Sequence, residues 1–275
     1  MTTDRPTGQE RRSPIVGVSL KMYFDTYRTH RWIAEVVDAV TDRTLVRAVD
    51  IFVAPGFVEL AQAHGQLAGS GIRLCAQNAA AEAAGAFTGE VSPLSLAQVG
   101  CELVELGHAE RRRLAGETNE TVARKARAAA EAGLVPVVCV GEPDNVGADA
   151  AVEHCGQQLS AVWDAVAPHV ELLVAYEPVW AIGQPEPAPA DHVAAVVRGL
   201  RVRAADRDRP IRVIYGGSAG IGTYTGLRDD VDGLFLGRFA HDVDSLVAIL
   251  AEVAAGPGNA VEPAPPAVSW RMLRP

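Results

Sequence analysis

The sequence predicts an α/β protein in which eight parallel strands alternate with helices and close into a single-domain (β/α)8 barrel. Three observations carry that expectation. Eight short apolar runs recur along the chain, most intervals between them are rich in Ala, Glu and Arg at helical spacing, and 275 residues suffice for one such barrel, which commonly takes about 250. Strands covered on both faces read as continuous apolar runs, and parallel strands need a crossover between them, so the alternation itself points to this architecture. An open, doubly wound sheet satisfies the same pattern and is the alternative.

The first run is Ile15–Ser19 (IVGVS), followed by Asp50–Ala54, Ile72–Ala76 and Leu103–Leu106 (LVEL). Between the fourth and fifth runs lies the clearest helical segment, NETVARKARAAAEAG at 119–133, which ends on a glycine suited to a helix C-cap. The fifth run is Val135–Val140 and the sixth Leu172–Ala175, which drives into AYEPVWAIGQP. There Pro178 keeps Glu177 out of the helical region, so the strand leaves extended with an acid at its mouth. Ile211–Tyr215 and Gly233–Leu236 complete the set, each followed by a glycine-containing turn, Gly216-Gly217-Ser218 and Gly237-Arg238. The barrel is expected over residues 14–255, between a polar tail at 1–13 and a proline-rich tail at 256–275 that cannot sustain a helix.

A net charge of -9 argues against nucleic acid or an anionic membrane surface as partner, because both reward clustered Lys and Arg. Any anionic ligand must be gripped locally. Cys75, Cys101, Cys139 and Cys155 form no CxxC pair and read as reduced, structural thiols. The first residues contain no apolar h-region and no run approaches the length of a membrane span, so a soluble, cytoplasmic protein is expected.

Residues just beyond the C-terminal ends of barrel strands share one mouth however far apart they lie in sequence. Strand one delivers Ser19-Leu20-Lys21, strand four Gly107-His108-Ala109-Glu110, and strand six Glu177 through Gly183. Taken singly, Lys21 is a solvated strand end, His108 a helix cap, Glu177 a salt-bridge partner and the glycines ordinary turns. Their convergence on one face is what suggests a site.

These stretches resemble the triosephosphate isomerase family, and the resemblance covers nearly all of residues 14–254. It rests on VSLKM around Lys21, AQN at 76–78, GAFTGE at 85–90, ELGHAERR at 105–112, GLVPVVCVGE at 133–142, AYEPVWAIG at 175–183 and YGGS at 215–218. The resemblance implies that Lys21, His108 and Glu177 are catalytic, that Glu110 is a further catalytic-site residue that contacts the lysine, and that the protein is a homodimer whose GAFTGE loop carries Thr88 into a neighbouring site.

The residue types fit the implied chemistry. Moving a carbonyl along a sugar phosphate requires removing a weakly acidic C–H proton, stabilising an enediolate and returning the proton one carbon along. Glu177 suits the base, His108 a neutral proton shuttle at a helix start, and Lys21 a fixed positive charge for the oxyanion. Phosphate would take backbone N–H groups at Ser218, Gly237 and Arg238, with Gly183 adding another from a lid over about Pro178–Pro185. The scheme demands neither metal nor organic cofactor.

Four departures from the family pattern bear on substrate: Ser19 in place of Asn, Ala109 in place of Ser, IGQPEP in the lid, and Arg238 in place of a glycine. Ser19 and the GRFA turn look like the branch that isomerises four-carbon ketose phosphates, which implies conversion of L-erythrulose 1-phosphate to D-erythrulose 4-phosphate. Dihydroxyacetone phosphate to D-glyceraldehyde 3-phosphate is the alternative. Two remoter readings are a serine hydrolase, from GGSAG at 216–220 with Asp232 before His241, and a non-catalytic sugar-phosphate binder.

Overall fold

The computed structural model of the protein describes residues 13–41 and 45–255. The eight apolar runs are its strands: β1 (Ile15–Ser19), β2 (Asp50–Ala54), β3 (Ile72–Ala76), β4 (Leu103–Leu106), β5 (Val135–Val140), β6 (Leu172–Tyr176), β7 (Ile211–Tyr215) and β8 (Gly233–Leu236). They pair in chain order, all parallel, and β8 returns to β1 to close the barrel. The open-sheet alternative is thereby excluded. β6 runs one residue past its apolar run because Tyr176 stays in register between Val140 of β5 and Tyr215 of β7. The proline-rich tail at 256–275 and the polar tail, save Ser13, lie outside the described residues.

The helices among the described residues are α1 (Thr26–Thr41), α2 (Leu60–Leu67), α3 (Pro93–Val99), α4 (Ala109–Ala115), α5 (Asn119–Glu131), α6 (Ala148–Ala165), α7 (Ala190–Ala205), α8 (Thr223–Leu227) and α9 (Val243–Ala254). Their ends follow from local chemistry. Thr118 caps α5 by accepting the Thr121 N–H, and Gly133, with φ of 83°, carries the chain out of the same helix. None of the helices is long and apolar enough to cross a membrane.

Strand alternation divides the core in two. Ile15, Phe52, Leu103, Val137 and Phe235 fill the barrel interior, whereas Val16, Val53 and Val104 face outward and pack with helix residues such as Ile33, Val122 and Leu250. Each such fully buried side chain contributes roughly 1.5–3 kcal/mol relative to exposure. Interior space is used to its limit at Gly17, where a Cβ would fall 2.1 Å from the Phe52 ring. All four cysteines are free and buried, as small apolar residues would be.

Candidate active site

The end of β1 turns through Leu20 into Lys21, whose φ of 49° is unusual for a residue with a side chain and costs on the order of 1 kcal/mol or more. The conformation is fastened from β3: Gln77 Nε2 donates to the carbonyls of both Lys21 and Ala54, each at 2.9 Å. The lysine Nζ thereby reaches Glu110 Oε1 at 2.9 Å on α4. Burial alone would lower the Lys21 pKa, but the Glu110 bond and the charges of Glu177, Glu110 and Glu105 outweigh it and hold the ammonium above its ordinary value. Burial likewise pushes the Glu110 carboxyl up, and Lys21 more than reverses it, leaving that carboxyl below its ordinary range.

His108 ends the β4 segment and is the N-cap of α4, its Nδ1 accepting the Glu110 N–H at 3.1 Å. The capping role and the catalytic role assigned from sequence are thus compatible. Because the Nδ1 lone pair is committed to the backbone, the ring proton sits on Nε2, which faces the barrel mouth. There Nε2 lies 3.6 Å from Glu177 Oε2, beyond hydrogen-bonding distance. Among the described residues neither atom has a hydrogen-bond partner, although both are buried. Unpaired buried polar atoms are costly, and these two face each other across one gap at the barrel mouth.

Glu177 itself is only 8% exposed. Its backbone N–H continues the β5–β6 pairing by donating to the Val140 carbonyl at 2.8 Å, which fixes where the side chain leaves the strand. The carboxylate lies over Gly216, where a Cβ would come within 2.7 Å of Oε1, so glycine there is a steric requirement of the acid's position.

Beyond Glu177, Val179–Ala181 form one 3-10 turn of the expected lid. This turn is anchored to Glu142, a fully buried residue whose carboxylate accepts from Trp180 Nε1 at 2.8 Å and from Tyr176 Oη at 3.2 Å, and lies 3.1 Å from His192 Nε2. Just past the lid the Tyr215 hydroxyl accepts the Ala188 N–H and donates to the Gly217 carbonyl, while within the lid the Ala181 carbonyl accepts from Ser218 Oγ at 3.0 Å. The lid is therefore tied to the turn after β7 by side chains on both sides.

Lys21, His108, Glu110, Glu177, Ser19, Gly183, Ser218, Gly237 and Arg238 all line one cavity of about 300 Å³ at the C-terminal end of the barrel. Gly237 opens a short 3-10 turn, Arg238–Ala240, and α9 follows it. The Arg238 guanidinium approaches the lid, 3.7 Å from where a Cβ on Gly183 would stand. Thr88 is not in the cavity; it lies in the exposed 83–90 stretch. Gln77, Glu142 and Tyr215 went unassigned in the sequence, and so did Glu105, a buried acid that accepts a hydrogen bond from Ser19 Oγ at 2.9 Å. The clue to Glu105 is a charge within LVEL, a run too short and too apolar to have a solvent face.

The hydrolase arrangement does not assemble. Asp232 precedes β8, where it accepts from the Val213 N–H and Arg201, whereas Ser218 follows β7 at the opposite end of the barrel.

The family model described as triosephosphate isomerase matches residues 14–253. Among curated relatives, an L-erythrulose-1-phosphate isomerase of Pectobacterium atrosepticum is 42% identical over 248 residues, covering 88% of this chain and 96% of its own length. Another protein of that name, from Rhizobium etli, is 41% identical, covering 87% and 92% respectively. A triosephosphate isomerase of Pseudomonas aeruginosa is 39% identical, covering 86% and 97%.

Proposed function

The chain belongs to the triosephosphate isomerase family and is a sugar-phosphate isomerase, and on that premise we propose that it interconverts L-erythrulose 1-phosphate and D-erythrulose 4-phosphate through an enediolate. The observation that carries the reaction is the unpartnered pair, Glu177 Oε2 and His108 Nε2, across a 3.6 Å gap. Glu177 removes the proton from the carbon next to the carbonyl, and His108 Nε2–H donates to the carbonyl oxygen as charge develops there. The same imidazole relays a proton from the adjacent hydroxyl, and Glu177 returns the carbon-bound proton to the neighbouring carbon. Glu177 must serve both carbons from one side, which a single carboxylate at the mouth of β6 can do. The Lys21 ammonium stabilises the oxyanion without itself changing protonation.

Substrate choice rests on Ser19. The tetrulose phosphate is dihydroxyacetone phosphate carrying one extra hydroxymethyl group on the carbon that loses its proton. Serine is shorter than the asparagine of the family pattern, and its hydroxyl donates to Glu105 while the residue lines the same cavity as Lys21. A pocket sized for the larger ketose holds the triose loosely, and small misplacement costs rate. The kcat/KM for L-erythrulose 1-phosphate is expected to exceed that for dihydroxyacetone phosphate by at least about tenfold. Ser19→Asn should depress tetrulose turnover and spare or improve triose turnover, while Arg238→Gly should weaken both substrates through the shared phosphate. A wild-type enzyme that prefers the triose would overturn this reading in favour of triosephosphate isomerase activity.

The active form is a homodimer in this reading. Met22, next to the lysine, is 95% exposed, and Val58 and Phe87 are exposed as well, the last beside Thr88. Apolar side chains so placed around the mouth suit burial against a second copy. Dilution to dissociation should abolish activity, because each site would lose the wall supplied by its neighbour's Thr88 loop. Sedimentation of a fully active monomer would remove the claim.

A further inference from the structure

β4 places an acid where a barrel interior normally carries a bulky aliphatic residue. Its alternation sends Leu103 into the interior cluster and Val104 and Leu106 outward, so Glu105 points inward with Leu103. Glu105 is 3% exposed, and it accepts from Ser19 Oγ, itself buried on β1, across the barrel. Burying a carboxyl is costly unless it is partnered, so an acid in this position calls for a function. Three facts locate that function. Ser19 lines the substrate cavity and Glu105 does not, the Ser19 hydroxyl hydrogen is directed down to Glu105, and a hydroxyl retains acceptor lone pairs after donating its hydrogen.

We infer that Glu105 is a positioning residue for substrate selection: it fixes the Ser19 hydroxyl with its lone pairs toward the cavity, where they accept the O–H of the substrate's terminal hydroxymethyl group. The inference rests on the tetrulose reading above and adds a recognition element to the space that reading requires. A pocket that merely has room tolerates an extra hydroxymethyl group; one that offers a preset acceptor selects for it, because the smaller triose leaves that acceptor unpaired. Burial, more than any neighbour, raises the Glu105 carboxyl above the usual carboxylate range, with Glu177 adding to the effect. The carbonyl oxygen of the neutral acid accepts from Ser19 as the carboxylate would, so the arrangement does not depend on a buried charge.

Glu105 has a second candidate role, since its charge also acts on Lys21. A counter-charge to the lysine would influence both substrates alike, whereas a recognition element acts on their ratio. The test is therefore kcat and KM for L-erythrulose 1-phosphate and for dihydroxyacetone phosphate on wild type, Glu105→Leu, Glu105→Gln, Ser19→Ala and the Ser19→Ala/Glu105→Leu double variant. Glu105→Leu should lower the tetrulose-to-triose ratio of kcat/KM by about tenfold, chiefly through KM for the tetrulose. Glu105→Gln, whose carbonyl still accepts from Ser19, should keep the ratio within about threefold of wild type. In the Ser19→Ala background, Glu105→Leu should change the ratio no further, since its route of action is gone.

Equal losses on both substrates, or ratio changes that simply add in the double variant, would overturn the inference while leaving the tetrulose reading intact. A wild type that prefers the triose would reject that reading, and this inference with it. If Glu105→Leu shows no cooperative melt, Glu105→Ala takes its place in the same cycle: a ratio lowered by about tenfold in the wild-type background and not in the Ser19→Ala background supports the positioning role, and an unchanged ratio rejects it.

Discussion

Glu177→Gln is expected to lower kcat by on the order of a thousandfold while leaving the protein folded, because an amide occupies the place of the carboxylate and cannot accept the substrate's carbon-bound proton. The substitution is conservative for the structure. Glutamine keeps the volume that meets Gly216, and the strand-end hydrogen bond to Val140 is made by the backbone, so the melting temperature should stay close to that of wild type. KM should move far less than kcat, since the lost interaction is made with a proton in flight and not with the resting substrate. Near-normal turnover by folded Glu177→Gln protein would end the assignment of Glu177 as base and with it the enediolate scheme drawn from the Glu177–His108 gap.

The barrel was legible because its strands are buried on both faces. Such strands cannot alternate polar with apolar residues, so each appears as a short apolar island, and seven of the eight coincide with the islands read from sequence. Only β6 exceeds its island, where an aromatic residue before Glu177 continues the pairing. Lys21, His108 and Glu177 were legible for a related reason: they stand within two residues of a strand's end, where a polar residue interrupts an apolar run. What escaped is what supports them from other strands. Gln77 holds the Lys21 backbone from 56 positions away, and Glu142 anchors Trp180 from 38. Nothing near either residue in the sequence marks those partners, because only barrel closure brings them together. Glu105 escaped differently: LVEL already reads as a strand without a solvent face, but the partner that explains its acid, Ser19, lies on β1 across the barrel. The separation of Asp232 from Ser218 illustrates the converse, a chain order that fits a triad while the fold sends its members to opposite ends of the barrel.

Lys21→Met should reduce kcat/KM by about a hundredfold to a thousandfold, the range expected when a preorganised charge next to a developing oxyanion is removed. The lysine is suited to that task by its surroundings. Its ammonium is mostly buried, paired with Glu110 at 2.9 Å, and held above its ordinary pKa by Glu110, Glu177 and Glu105 against the opposing effect of burial. Both kcat and KM should respond, because the same charge attracts the phosphorylated substrate before reaction and the enediolate during it. Stability should change little. The left-handed backbone at position 21 costs methionine what it costs lysine, Gln77 still bonds the carbonyl, and the lost ion pair involves a Glu110 side chain that is 41% exposed and hence worth at most about 1 kcal/mol. A large loss of activity with an unchanged melt therefore isolates the electrostatic contribution of the ammonium. Activity within about tenfold of wild type would mean that the oxyanion is stabilised elsewhere, and His108 alone would then have to supply what the Lys21–Glu110 pair is assigned here.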